Sequence, residues 1–261
     1  MQPNDRHLLM SVTKVFTSVV VGILERRGLL DLERPADSYI DELADSGWAG
    51  VTLNDVLGWR PAGAETNTYD LIASLPSHRR PGQVYEYTSA NTFVLSWLVE
   101  RVTGLPFAEV LGREIWSRGG FEASAQLCIS ATGAPASHGG LSITLRDLAR
   151  FGMLFTSSGS AVIDAEHLRR IRAGRRPALH RSGGELPDVA KAAYGRRLPP
   201  ASRQWNYVTD DGDLFKGGFG GQGLYVSPDR DVVIAFAGTP RQDGSVNQLR
   251  WLSRRLAHAL G

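Results

Sequence analysis

Apolar residues recur at helical spacing over residues 12–27, at Val12, Val15, Phe16, Val19, Val20, Ile23 and Leu24. The run Val19-Val20-Val21 would also suit a strand. The length of the pattern, the charged Glu25-Arg26-Arg27 and the stop at Gly28 predict a helix instead. Residues 29–35 read as a connector and 40–57 as one or two short helices. Residues 61–68 and 76–82 read as loops, the second ending in a Pro-Gly turn signal. A strong helical pattern over 91–103 carries Phe93, Val94, Leu95, Leu98 and Val102 and stops at Gly104; 107–115 continues helical after Pro106. Residues 145–155 predict another helix, opened by Thr144 with Asp147 three positions on, a capping-box-like start. The stretch 174–200 is basic, punctuated by Gly and Pro, and reads as irregular. Beyond Asp213 the character changes. Residues 214–216, 224–226 and 232–237 predict three strands, with turns at Pro228-Asp229-Arg230 and around Gly220-Gly221. An amphipathic helix over 248–260 closes the chain. No internal repeat or low-complexity tract interrupts this order, which is α+β segregation rather than alternating βαβ units.

With 261 residues, 42% of them hydrophobic and 21% charged, the composition is globular and sufficient for one large domain or two small ones. A net charge of +2 leaves no electrostatic footprint for nucleic acid or an anionic membrane. Lysine occurs only at Lys14, Lys191 and Lys216, the other basic residues being arginines, so a lysine is unusual wherever it stands. One cysteine, Cys128, excludes an intrachain disulfide framework and a multi-cysteine metal site, and is expected to be a buried small hydrophobe. Residues 1–9 show no basic region leading into a long apolar core, and the apolar run near Val19 is too short to span a bilayer. The expectation is a soluble, cytoplasmic protein without a signal peptide.

Ser11 and Lys14 stand at i and i+3, on one face of a helix start. A serine hydroxyl becomes a good nucleophile only when a neighbour takes its proton, and a lysine does that where burial disfavours its ammonium form. The backbone N–H of Ser11, at a first turn, is available to an oxyanion. Taken alone, Ser-x-x-Lys is short, and a helix cap beside a surface lysine accounts for it more often. A second element, Tyr87-Thr88-Ser89-Ala90-Asn91, precedes the helix that ends at Gly104. Tyrosine can shuttle a proton where cations lower its pKa, and Ser89 and Asn91 add hydrogen-bonding groups. The third element is the run Lys216-Gly217-Gly218-Phe219-Gly220-Gly221-Gln222-Gly223, whose glycines permit close backbone approach to a ligand and turns with positive φ. Gly218 to Gly223 also fits the G-x-G-x-x-G dinucleotide pattern. That pattern requires a helix to follow, and Leu224-Tyr225-Val226 reads as a strand, so the nucleotide reading is rejected. There is no G-x-S-x-G elbow, P-loop or H-E-x-x-H. His138, ahead of Gly139-Gly140, could line a site and His78 sits in a loop, but both read better as surface or core-edge residues.

Together and in this order, the three elements resemble the penicillin-recognising serine hydrolases: class C β-lactamases, DD-peptidases and their esterase and amidase relatives. Ser11-x-x-Lys14 is similar to the first family motif. Pro81-Gly82-x-x-Tyr85-x-Tyr87 is similar to the second, 139–152 to the helix after the family's Gly-Gly-Leu-Ser turn, and Lys216-Gly217-Gly218 to the Lys-Thr-Gly strand. Ser89 stands where the second motif has asparagine, and Gly217 where β-lactamases have threonine or serine. Both departures point away from β-lactams, toward the 6-aminohexanoate-dimer hydrolase and family VIII carboxylesterase branch. The resemblance implies a single domain over 1–261 of β-lactamase/transpeptidase-like fold. An antiparallel sheet flanked by helices would come from about 1–30 and 160–261, and a mostly helical subdomain from about 31–159. It implies a small ester or amide substrate, an acyl-enzyme on Ser11, proton relay by Lys14 and Tyr87, and an oxyanion hole from the N–H groups of Ser11 and Phe219. Ser89, Asn91, Lys216, Gly217, Gly218 and Gln222 would support or bind substrate, with no metal or organic cofactor. Acyl transfer by the same site, weak β-lactamase or DD-peptidase activity, and a non-catalytic binding protein are the alternatives. Only ten residues precede Ser11, where relatives carry strands. The expectation is an open sheet edge covered by another subunit in a homo-oligomer, or a chain that is a fragment.

Overall fold

The computed structural model describes residues 4–57, 69–76, 87–159, 162–175, 188–195, 197–238 and 248–260. Strand β1 (Arg6–Leu8) leads through a 3-10 turn, Met10–Val12, into helix α1 (Thr13–Arg26). Short helices α2 (Leu53–Val56) and α3 (Tyr69–Ala73) precede α4 (Ala90–Thr103) and α5 (Phe107–Leu111). Strands β2 (Gln126–Leu127) and β3 (Leu141–Thr144) come next, then α6 (Leu145–Met153), α7 (Ala165–Ala173) and α8 (Asp188–Tyr194). Four strands follow: β4 (Tyr207–Val208), β5 (Leu214–Gly218), β6 (Gln222–Ser227) and β7 (Val232–Phe236). Helix α9 (Leu249–Leu260) comes last. Two antiparallel sheets result, one ordered β1-β3-β2 and the other β4-β5-β6-β7. Helix α6 packs on one face of the larger sheet and α9 on the other.

The helices predicted over 12–27, 91–103 and 145–155 all form, with Gly28 and Gly104 in the left-handed conformation their stops require. Thr144 Oγ1 accepts from Asp147 N at 3.1 Å, as the cap predicts. The buried Asp147 carboxylate accepts from Glu122 N and Ala123 N, tying a loop to α6. The stretch read as irregular contains α8, an alanine-rich turn with Asp188 and Lys191 paired at i, i+3. Helix α7 was not predicted; its cap is Asp164, which accepts from His167 N at 2.8 Å. Strands β1 to β4 are two to four residues long, too short to display a period. Cys128 is exposed, not buried, because the segment beyond β2 runs along a sheet edge with alternate side chains outward. No helix among the described residues is long and apolar enough to cross a membrane. Pro81, Gly82 and Tyr85 of the second motif, the 61–68 loop and His78 lie outside the described residues.

Helix α1 is buried all round from Thr13 to Leu24, the signature of a central core helix. Its apolar faces carry Val15, Phe16, Val19, Val20 and Ile23, and the Phe16 ring stacks on Phe151 of α6 with centroids 3.6 Å apart. Three of its polar residues meet one segment. Thr13 Oγ1 accepts from Leu141 N, Lys14 Nζ donates to His138 O, and Thr17 Oγ1 donates to Ser137 O. Further along, a Cβ on Gly22 would lie 2.2 Å from Nδ1 of the buried His167. Burial, then the charge of Arg203, lowers the His167 pKa to about 4. Above pH 6.5 the imidazole is neutral whether the chain is folded or not. Between pH 6.5 and about 4 only the unfolded chain takes up the proton, so stability falls on acidification, by on the order of 3 kcal/mol in full. Urea unfolding at pH 6.5 and 5 should show this loss, and His167→Leu should flatten it.

Candidate active site

Strand β5 carries the third motif and is fixed at its start by the buried Asp213. That carboxylate accepts from Tyr225 and Ser227 of β6 and, at 2.8 Å, from Arg254 of α9. Arg230 and His258 also reach it. Beside β5, β4 pairs only with Leu214 and Phe215. Past that point the Asn206 side chain replaces a strand, its Oδ1 accepting from Gly217 N at 3.0 Å. The far end of β5, from Lys216 to Gly218, is therefore an edge against which other elements converge.

The first to converge is the Met10–Val12 turn, which packs on β5 and β6. Met10 holds φ 49°, a left-handed conformation immediately before Ser11. Gly218 makes the approach possible: a Cβ there would lie 2.4 Å from Leu9 O and 3.1 Å from Met10 Cβ. The close approach that the glycine run predicts is thus to the turn that carries Ser11. Gly218→Ala should push that turn off β5, lowering stability by about 1–3 kcal/mol in a denaturant titration and activity with it. At Gly217 the nearest atoms to a Cβ are 3.4 Å away, ordinary contact. Space there would accept a Cβ, so packing at that atom does not require the glycine.

Ser11 is half-buried within its turn and caps nothing. Lys14 is fully buried, which removes the surface-lysine reading. Its Nζ donates to Ser89 Oγ at 3.2 Å and to His138 O at 3.1 Å. The Tyr87 ring, 45% exposed, has two amines close by: Lys14 Nζ is 5.4 Å from its centroid and Lys216 Nζ 4.9 Å. Lys216 is buried, and burial, then the charge of Lys14, pushes it well below the usual lysine range. His138 feels the same two influences, and its pKa falls to about 4. Ser89 precedes α4 but its side chain does not cap the helix; the hydroxyl serves Lys14.

The structure thus joins Lys14, Tyr87, Ser89 and Lys216 directly. Asn91 stands half a turn into α4, with Nδ2 donating to Val56 O at 2.8 Å. Gln222 pairs opposite Gly218. Phe219, 81% exposed, sits at the β5–β6 turn, where Gly220 and Gly221 take positive φ. The sequence reading missed the His138 carbonyl on Lys14 and the residues 201–205 beside Tyr87. A backbone acceptor leaves no residue-type signal, and 201–205 belong to no motif.

Known proteins bear on this arrangement. The sequence profile of the family described as Beta-lactamase matches residues 1–259. The 6-aminohexanoate-dimer hydrolase of Paenarthrobacter ureafaciens is 31% identical over 89% of this chain; the chain spans 66% of that relative's length. Among solved structures, a class C beta lactamase from Rhodobacter sphaeroides superposes with a TM-score of 0.70 at 20% identity, over 100% of this chain and 87% of that one. A family VIII carboxylesterase superposes with a TM-score of 0.72 at 14% identity, over 98% of this chain and 84% of the other. At these identities the two superpositions speak to fold.

Proposed function

The chain belongs to the beta-lactamase family, and on that premise we propose that it is a serine hydrolase that cleaves an ester or amide of a small substrate through an acyl-enzyme on Ser11. The observation that carries this reading is Lys14: fully buried, one helical turn after a half-buried serine, with Nζ 3.2 Å from Ser89 Oγ. Lys14 and Tyr87 take the proton from Ser11 Oγ as it attacks the substrate carbonyl. The Oγ–C bond forms and the carbonyl π electrons move onto oxygen. The N–H groups of Ser11 and Phe219 hold that oxyanion. Phe219 directly follows Lys216-Gly217-Gly218 at the end of β5, which supports it in this role. When the carbon–leaving-group bond breaks, Tyr87 and Lys14 return the proton to the leaving atom. Water, activated by the same groups, then releases the acid. Burial and the charge of Lys14 both depress Lys216, so holding the two amines charged beside one ring is disfavoured.

Ser89 and Gly217 favour simple esters and amides over β-lactams. A short-chain nitrophenyl ester should be turned over well above nitrocefin, and the reverse order would move the substrate class. A fluorophosphonate probe tests the nucleophile, since a folded protein that takes no label at Ser11 is not this enzyme. A homo-oligomer formed over the outer edge of β7, which among the described residues pairs only with β6, belongs to the same proposal and is read by sedimentation.

A further inference from the structure

An open cleft lies beside the proposed proton relay, lined by Tyr87, Asn91, Gln204, Trp205 and Lys216 among others. Two carboxamides in its wall are oriented by the same device. Asn91 Nδ2 donates to Val56 O at 2.8 Å, and Gln204 Nε2 donates to Leu57 O at 2.9 Å, so consecutive carbonyls at the end of α2 fix both groups. Thr92 Oγ1 donates to Gln204 Oε1 at 3.2 Å, which settles the orientation of that amide. What remains is complementary. Asn91 is 4% exposed and its Oδ1 has no donor, a deficit that a buried acceptor seldom carries. Gln204 Nε2 retains one N–H beyond its bond to Leu57.

The backbone under Gln204 is strained. Ser202 and Trp205 exchange both backbone hydrogen bonds, and the two residues between them, Arg203 and Gln204, hold φ 43° and 71°. This is the two-residue turn that glycine and asparagine favour. Here it is built from long side chains, and each has a defined destination: Arg203 pairs with Glu25 at 3.7 Å, while Gln204 reaches the cleft. Arg203 also lines the cleft, but its charge is paired with Glu25, and among the described residues no acidic side chain lines it.

We infer that this cleft is a subsite for an uncharged substrate arm carrying a secondary amide, with Asn91 Oδ1 accepting its N–H, Gln204 Nε2 donating to its C=O, and Gln204 the residue that sets the preference. The inference rests on the acyl-enzyme reading only for which arm enters. Tyr87 lines the cleft and is the group proposed to protonate the leaving atom, so the arm is that of the leaving group.

Binding measured without turnover separates the two claims. Ser11→Ala protein is titrated by calorimetry with three short-chain amides. Their amine portions are a mono-acetylated diamine, an alkylamine of equal length, and an amino acid of equal length ending in a carboxylate. The acetylated arm should bind roughly tenfold tighter than the other two, as two modest net hydrogen bonds allow. Adding Gln204→Ala should bring its advantage over the alkyl arm close to one. Gln204→Asn, which suits the left-handed turn but is one methylene shorter, should do the same if the alanine variant does not fold. Equal affinities in the Ser11→Ala protein overturn the subsite, as does a preference that survives both Gln204 changes or tighter binding of the carboxylate arm. Failure of Ser11 to label in the unaltered protein would instead overturn the hydrolase reading, and leaves these affinities interpretable.

Discussion

Ser11→Ala abolishes covalent labelling by a fluorophosphonate and ester turnover, and Lys14→Ala lowers both by roughly 10²-fold or more. The serine result follows from the chemistry, since no acyl-enzyme forms without Oγ. The lysine result is the sharper one. Lys14 sits in a polar niche made by Ser89 Oγ and the His138 carbonyl, which orient Nζ from two sides. Truncation removes the base and leaves the buried Ser89 hydroxyl without that donor. Labelling rate, measured against active-site concentration on protein shown by circular dichroism to be folded, separates lost chemistry from lost structure. Full labelling by Lys14→Ala would take lysine out of the mechanism.

The second large effect runs in opposite directions for stability and activity. Lys216→Met should raise the unfolding temperature by several degrees while lowering kcat/KM by about two orders of magnitude. Lys216 is 1% exposed and among the described residues forms no ion pair, so at neutral pH folding strips its amine of hydration without a compensating carboxylate. Methionine fills similar volume without that cost. The pH dependence supplies the check. The unfolded chain holds this proton up to about pH 10.5 and the folded chain releases it well below. Wild-type stability therefore gains from this group as pH rises toward 10.5, and the advantage of Lys216→Met narrows over the same interval. An unfolding temperature lowered at pH 7 would mean that Lys216 is held charged by partners that offset its burial.

The long helices and the three strands of β5 to β7 were legible because each repeats its period several times between clear stops. The Ser11–Lys14 spacing, Tyr87 and the Lys216 strand could be read for the same reason: side chains with distinctive chemistry at fixed offsets. What escaped was of another kind. The three residues of β1 carry no period, and they are strand only because Leu141–Thr144 lies beside them. Cys128 was expected inside on residue type, yet an edge position overrides type. The carbonyl of His138 and the side chains of Gln204 and Asn206 act through where the backbone brings them. No residue pattern at those positions announces it.

The polar seam of α1 has a consequence in time. Thr13, Lys14 and Thr17 find their partners 128, 124 and 120 residues downstream. At a translation speed of about 5–20 residues per second, helix α1 waits roughly 6 to 25 seconds on the ribosome before those partners exist. Through that interval only earlier segments such as α4 can cover part of its apolar surface. Assembly of the polar niche around Lys14 is thus a late event of synthesis.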